Sequence, residues 1–181
     1  MLKRIAFQGE RGSFAEEAAA EFFAGESEII AYPQLIDLQT AIETRIADYA
    51  VLPIENSLIG TVAITGEFLA ANAWRAVGEL FLPVRLNLIG SQSATLETIK
   101  TVESHPAALA QCQRFFRVNS HLQLIESENT AASAKRVIAA ADPTRAAIAG
   151  ARAAEIFGGR IILADLQDKH ENYTKFLLLK K

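Results

Sequence analysis

Short apolar runs that end in Gly, Pro or Asn alternate with Ala-rich segments of helical period along all 181 residues. That alternation is the pattern of parallel strands joined by crossover helices, and it predicts an α/β fold. Strands are predicted over 4–8, 28–32, 49–54, 78–82, 86–90, 101–104, 122–127, 146–149 and 160–163, with 174–179 closing the chain. Helices are predicted over 13–23, 35–44, 61–72, 107–116, 130–140 and 151–157. Ser13 precedes an Ala-Glu-Glu turn, Pro106 sits where a first helical turn tolerates it, and Thr130 opens an Ala-rich run. Each can serve the unbonded N–H groups of a helix start.

The stretch 77–90, VGELFLPVRLNLIG, reads as two strands interrupted by Pro83, long enough to carry the chain from one lobe into another. Residues 165–172 are polar and precede the last strand, as a return crossing would be. The expectation is two α/β lobes joined by two crossing strands. The first comprises 1–80 plus 168–181 and the second 81–167, with no repeat or low-complexity linker between them.

Composition narrows the function classes. At 50% hydrophobic residues the chain can bury a real core. A net charge of -3, with both signs mixed throughout, leaves no basic stripe for a nucleic acid. The one cysteine, Cys112, has no intrachain partner and no second thiol at zinc spacing, which fits a reducing cytoplasm. No metal ligand is assigned to the scattered His105, His121 and His170. The N-terminal apolar run is broken at Gln8 and Gly9, too early for a signal-peptide core, and no apolar run approaches the roughly 20 residues that span a bilayer. A cytoplasmic protein without membrane contact is expected, with a homodimer as the commonest assembly.

Four polar segments carry candidate chemistry. Pro53 to Val62, PIENSLIGTV, lies at the carboxyl end of an apolar strand before a predicted helix, where α/β ligand sites form. A helix start there supplies N–H groups, and Asn56, Ser57 and Thr61 add neutral hydrogen bonds suited to a carboxylate; a capped turn with solvated side chains is the alternative. Phe7 to Phe14 places a two-glycine loop between strand and helix but lacks both the dinucleotide fingerprint and a phosphate loop. Ser127 to Ala132 offers Thr130 as a cap beside the small Ala131 and Ala132, either an ordinary helix start or a ligand approach. In Glu171 to Phe176, the Thr174 hydroxyl can donate a proton to a leaving oxygen with Lys175 supplying nearby charge, or the segment simply begins a strand. Cys112 reads as a buried structural thiol and Trp74 as packing.

In order, FQGERGSFAEEAA, DYAVLPIENSLIGTV, SHPAALAQC, ENTAASA and NYTKF resemble the catalytic region of the prephenate dehydratase family over nearly the whole chain. The resemblance implies two lobes similar to type II periplasmic binding proteins, with an active cleft between them. It implies loss of carbon dioxide and the ring hydroxyl from prephenate to give phenylpyruvate, with no cofactor. On it, Thr174 is the catalytic threonine. Glu55, Asn56, Ser57 and Gly60 form the cleft motif, Ser57 and Asn56 as orienting donors. Ser13, Thr130, Asn172 and Phe176 match further cleft-lining or motif positions, and with Glu55, Gly60, Thr61, Ala131 and Lys175 they are expected to bind the substrate. The family's Thr-Arg-Phe is Thr-Lys-Phe here, its His-Pro-Gln is His105-Pro106-Ala107, and a histidine often found entering the second lobe is Leu86. Lys175 keeps the charge without arginine's bidentate fork. Arogenate dehydration, or prephenate decarboxylation without aromatisation, is the nearest alternative, and a binding protein without turnover is a second. Ending at Lys181, the chain is expected to lack the regulatory ACT domain with which most members continue, and the chorismate mutase bundle fused to some.

Overall fold

The computed structural model describes residues 2–24 and 26–181. The chain forms two compact units. One comprises Met1–Glu10, Phe14–Val84 and Glu171–Lys181, the other Arg11–Ser13 and Arg85–His170.

Following the chain, the first unit contains β1 (Lys3–Gln8), α1 (Phe14–Glu21), β2 (Ser27–Tyr32), α2 (Leu35–Glu43), β3 (Tyr49–Asn56), the two-residue β4 (Gly60–Thr61), α3 (Ala63–Ala71) and β5 (Arg75–Pro83). The second unit contains β6 (Asn87–Gly90), β7 (Thr101–Ser104), α4 (Pro106–Ala110), α5 (Gln113–Val118), β8 (Gln123–Glu126), α6 (Thr130–Ala140), β9 (Arg145–Ala149), α7 (Ala151–Phe157) and β10 (Arg160–Leu163). The chain then returns to the first unit as β11 (Tyr173–Lys180).

In the first unit the strand order is β2-β1-β3-β11-β5, with β4 paired to β3 outside that path. Alternate residues face opposite layers, as the period of two in a strand requires. Ile5, Phe7, Val51, Phe176 and Leu178 pack with Ala15, Ala18 and Ala19 of α1, while Ala6, Ala50, Leu52 and Leu179 pack with Leu38, Ala41 and Ile42 of α2. Burial on both faces explains why these strands read as continuous apolar runs. Trp74 adds an edge-to-face contact with Phe68 at 5.1 Å.

The second sheet runs β10-β6-β9-β7-β8. Its core sets Ile89, Ala147 and Ala149 against Ala134, Val137, Ala153 and Ala154, small side chains that let helix and sheet approach closely. Gly12 also belongs to this unit. Its φ is 78°, and a Cβ there would lie 2.8 Å from the Ala153 Cα, so both conformation and space demand glycine. The second glycine of the Phe7–Phe14 loop thus answers to packing against α7.

The expectation of parallel strands is corrected: both sheets are mixed. β1 pairs parallel with β2 and β3, but β11 runs antiparallel to β3 and β5, and β6 runs antiparallel to β9 and β10. β11 follows a polar loop instead of a crossover helix, so nothing forces it parallel. The predicted helix 107–116 is interrupted at Cys112, giving α4 and α5. The helix predicted from Thr61 begins at Ala63, because Gly60 and Thr61 are drawn into a hairpin with β3. Helices 130–140 and 151–157 and strands 101–104 and 160–163 lie where the periodicity puts them.

Candidate active site

The Glu55–Thr61 segment is a tight hairpin, Asn56 pairing with Gly60 and Glu55 with Thr61. Gly60 has φ 89°, the left-handed value that closes such a turn. The Asn56 Oδ1 accepts the Leu58 and Ile59 N–H groups at 3.0 and 3.1 Å. These amides are therefore satisfied within the turn. The expectation that a helix N-terminus at this segment presents free N–H groups is corrected, since α3 starts later, behind Val62.

Fixing Oδ1 on two donors aims the other end of the Asn56 amide at β11. Nδ2 lies 3.0 Å from the Thr174 Oγ1, 3.1 Å from the Tyr173 carbonyl and 3.2 Å from the Asn172 Oδ1. Thr174 and Asn56 are register partners across the β3–β11 ladder, which places both side chains on one face. With Asn56 donating to its oxygen, and no acceptor for its proton among the described residues, the Thr174 hydroxyl can give that proton outward.

Ser57 is the clamp that holds this geometry. Its N–H donates to the Tyr173 carbonyl at 3.0 Å, its Oγ accepts the Tyr173 N–H at 3.0 Å, and its hydroxyl donates to the Glu171 carbonyl at 3.3 Å. Both backbone polar groups of Tyr173 are thereby tied to the turn. Asn172 is buried beside them, and its carbonyl accepts the Val84 N–H at 2.8 Å. Sequence reasoning missed Tyr173 because it contributes backbone; only the strand register reveals it.

Lys175 goes elsewhere. Its Nζ lies 2.8 Å from the Glu79 Oε2 and 5.2 Å from the centre of the Phe81 ring, opposite which it sits in the ladder. Thr174 pairs with Leu82, one residue further along, so the two side chains leave opposite faces of β11. The expected charge beside the Thr174 hydroxyl is not found there. Glu55, across from Lys175, and Thr61 are exposed on the hairpin. Phe176 is buried in the core with Phe7, Leu82 and α1, a packing position.

In the second unit, Asn129 caps α6, its Oδ1 accepting the Ala132 N–H at 2.7 Å, which corrects the assignment of that role to Thr130. Asn was the residue to choose, since its carbonyl reaches the third N–H of a helix as well as a threonine hydroxyl does. Thr130 is half-buried at the first position of α6, and Ala131 is buried. Ser13 directly precedes α1 and is half-buried. The Glu103 carboxylate, almost wholly buried, is held by Arg136 and Arg145. Leu86 is buried, its N–H donating to the Gln167 Oε1 at 2.8 Å. His105 caps α4 through Nδ1, accepting the Ala107 N–H at 3.1 Å. Burial, with Asp168 adding to it, pushes the Cys112 thiol up to about 12, so it is no nucleophile at neutral pH. Among the described residues no group of three or more His, Cys, Asp or Glu is arranged to hold a metal, and no helix is long and apolar enough to cross a membrane.

Comparison with known proteins gives the family of the chain. A bifunctional chorismate mutase/prephenate dehydratase of Neisseria gonorrhoeae is 38% identical over 97% of this chain and 49% of its own length. An arogenate dehydratase/prephenate dehydratase of Arabidopsis thaliana is 35% identical over 98% of this chain and 46% of its own. The chain thus spans about half the length of the curated relatives it matches. Among solved structures, GqqA, described as a novel type of quorum quenching acylase, superposes with a TM-score of 0.90 at 28% identity, covering 99% of this chain and 64% of that one. The prephenate dehydratase of Arthrobacter aurescens, in complex with L-Phe, superposes with a TM-score of 0.88 at 26% identity, covering 98% of this chain and 60% of that one. The prephenate dehydratase family model matches residues 5–181, and the chain belongs to that family.

Proposed function

We propose that the chain catalyses the decarboxylating dehydration of prephenate to phenylpyruvate, a step of phenylalanine biosynthesis in the cytoplasm, with Thr174 as general acid. The observation that carries this reading is the 3.0 Å hydrogen bond from the Asn56 Nδ2 to the Thr174 Oγ1. In the reaction the bond to the ring carboxylate breaks, its electron pair enters the ring as carbon dioxide leaves, and the carbon–oxygen bond to the ring hydroxyl breaks on the far side. The Thr174 proton joins the departing oxygen to make water. The Asn56 N–H then faces the alkoxide left behind, stabilising charge that exists only as the reaction proceeds, until solvent returns a proton. Aromatisation supplies the driving force, so the protein's task is to hold the acid and protonate the leaving group.

Ser57 acts as a positioning residue, through Tyr173, and Asn172 supports the Asn56 amide. Ser13, Thr130 and Ala131 are proposed as further substrate contacts.

The test is to incubate the protein with prephenate and follow the phenylpyruvate chromophore. Thr174→Val keeps the shape and removes the hydroxyl, and it should lower kcat by roughly 10²–10⁴, the usual contribution of a positioned acid. An unchanged kcat, or a product without the aromatic chromophore, refutes the reading. Relatives named for arogenate dehydration support a second substrate for the same chemistry, and the ratio of kcat/KM for the two acids decides between them.

A further inference from the structure

The opposite end of the first unit's sheet holds a cavity of about 670 Å³ that the dehydration site does not use. β3 begins at its wall with Tyr49 and ends at the active turn with Asn56, a rise of roughly 23 Å at about 3.3 Å per residue. Five cationic side chains line it, Lys3, Arg4, Arg45, Lys180 and Lys181, against two side-chain carboxylates, Glu43 and Asp48.

Both carboxylates are already engaged. Asp48 accepts the Arg4 backbone N–H at 2.9 Å and its guanidinium at 2.9 and 3.3 Å, while the Glu43 Oε1 accepts the Gln39 Nε2 at 2.9 Å. Arg45, Lys180 and Lys181 form no ion pair among the described residues. In a chain of net charge -3, a concave site with uncompensated positive charge concentrates a field that attracts anions. Part of the wall is apolar: Ile42 and Ala47 are 5% and 3% exposed, and the Lys180 Nζ lies 5.7 Å from the centre of the Tyr49 ring. Arg45 itself has φ 60°, just past the end of α2, where glycine is the unstrained choice. That conformation closes α2, with the Ile46 N–H bonded to the Ala41 carbonyl at 2.8 Å, and it places Arg45 in the cavity wall.

We propose that this cavity binds a small organic dianion, a phosphate or dicarboxylate with an aromatic or apolar body. Two negative charges can pair with two of the three unpaired cations, the body meets the Tyr49 ring, and the volume lies within the range of small-molecule sites. The proposal stands independently of the reaction at Thr174.

The test is an amide chemical-shift titration of the isotopically labelled protein at low salt, with phenyl phosphate in one arm and phthalate in the other. The expected result is saturable shifts at Ile42, Arg45, Tyr49 and Lys180 in at least one arm, weakening as salt is raised. In Arg45→Gly/Lys180→Gln the same shifts should need about tenfold more ligand or greater. Gly relieves the backbone at position 45, so this variant keeps the fold, and its turnover of prephenate should equal that of the parent. Shifts that do not saturate in either arm, or that titrate identically in the double variant, overturn the proposal.

Discussion

Asn56 and Thr174 face each other across the β3–β11 ladder, with the amide nitrogen of one 3.0 Å from the hydroxyl oxygen of the other. The direction of that bond is fixed from outside it, because the Asn56 oxygen is held by two backbone N–H groups. Thr174 is therefore an acceptor towards the protein, and its proton is left for whatever binds beside it.

Asn56→Asp tests that polarity directly. The carboxylate still accepts from Leu58 and Ile59, so the turn survives, but the donor facing Thr174 becomes an acceptor and captures the hydroxyl proton. Turnover should fall by roughly 10²–10³, as for loss of a donor to developing negative charge, with the melting temperature shifted by only a few degrees. A matched fall in kcat with little change in KM, read from phenylpyruvate formation, is the expected split.

For Lys175 the outcome should be mild. Its ammonium pairs with a Glu79 side chain that is 58% exposed, on the opposite face of β11 from Thr174, and such pairs contribute about 0–1 kcal/mol. Lys175→Gln is expected to leave kcat within about threefold of the parent and to lower stability by no more than that amount. A loss of turnover comparable to that of Thr174→Val would show that the lysine reaches the substrate after all.

Lys175 also shows where a sequence stops being legible. The motif segments singled out Asn56 and Thr174, because strand-to-turn chemistry leaves local marks such as Asn-Ser-x-x-Gly, and the ladder sets the two side chains 3.0 Å apart. That Lys175 and Thr174 leave opposite faces follows from the period of two in any strand, but which side chains each meets depends on the pairing of β11 with β5, a register between segments about ninety residues apart in the chain. The same non-local information hid the antiparallel direction of β11 and β6, since an apolar run reads alike in either direction. Asn129 was missed differently: Asn and Thr are both good caps, and only the 2.7 Å bond to the Ala132 N–H separates them.

Phe176 was expected at the substrate and lies instead in the core, 2% exposed among Phe7, Leu82 and the alanines of α1. Phe176→Ala removes a full ring from a packed interior and should cost about 3–5 kcal/mol, visible as a lower urea midpoint. Phe176→Leu, which keeps most of the volume, should restore much of that stability and with it turnover. Loss of activity in the leucine variant at full stability would return the ring to the site.

Acid should weaken the fold through its hydrogen-bonded carboxylates, and Asp48 gives the sign. The Arg4 guanidinium, then the Arg4 backbone N–H, holds the Asp48 carboxyl below its ordinary value despite some desolvation. A carboxyl depressed in the folded state contributes stability that is fully present above its unfolded pKa, near 4, and is lost as pH falls through the folded value. Arg136 depresses Glu128 and Arg85 depresses Asp165 in the same direction. Urea midpoints should accordingly be flat from neutral pH to about 5 and then decline as these groups take up protons. Arg4→Met removes the main cause of the Asp48 shift, so its midpoint should lie below that of the parent at neutral pH and converge with it below about pH 3. A constant gap between the two proteins across the acid range would mean that Arg4 contributes through packing of its stem and not through the Asp48 charge.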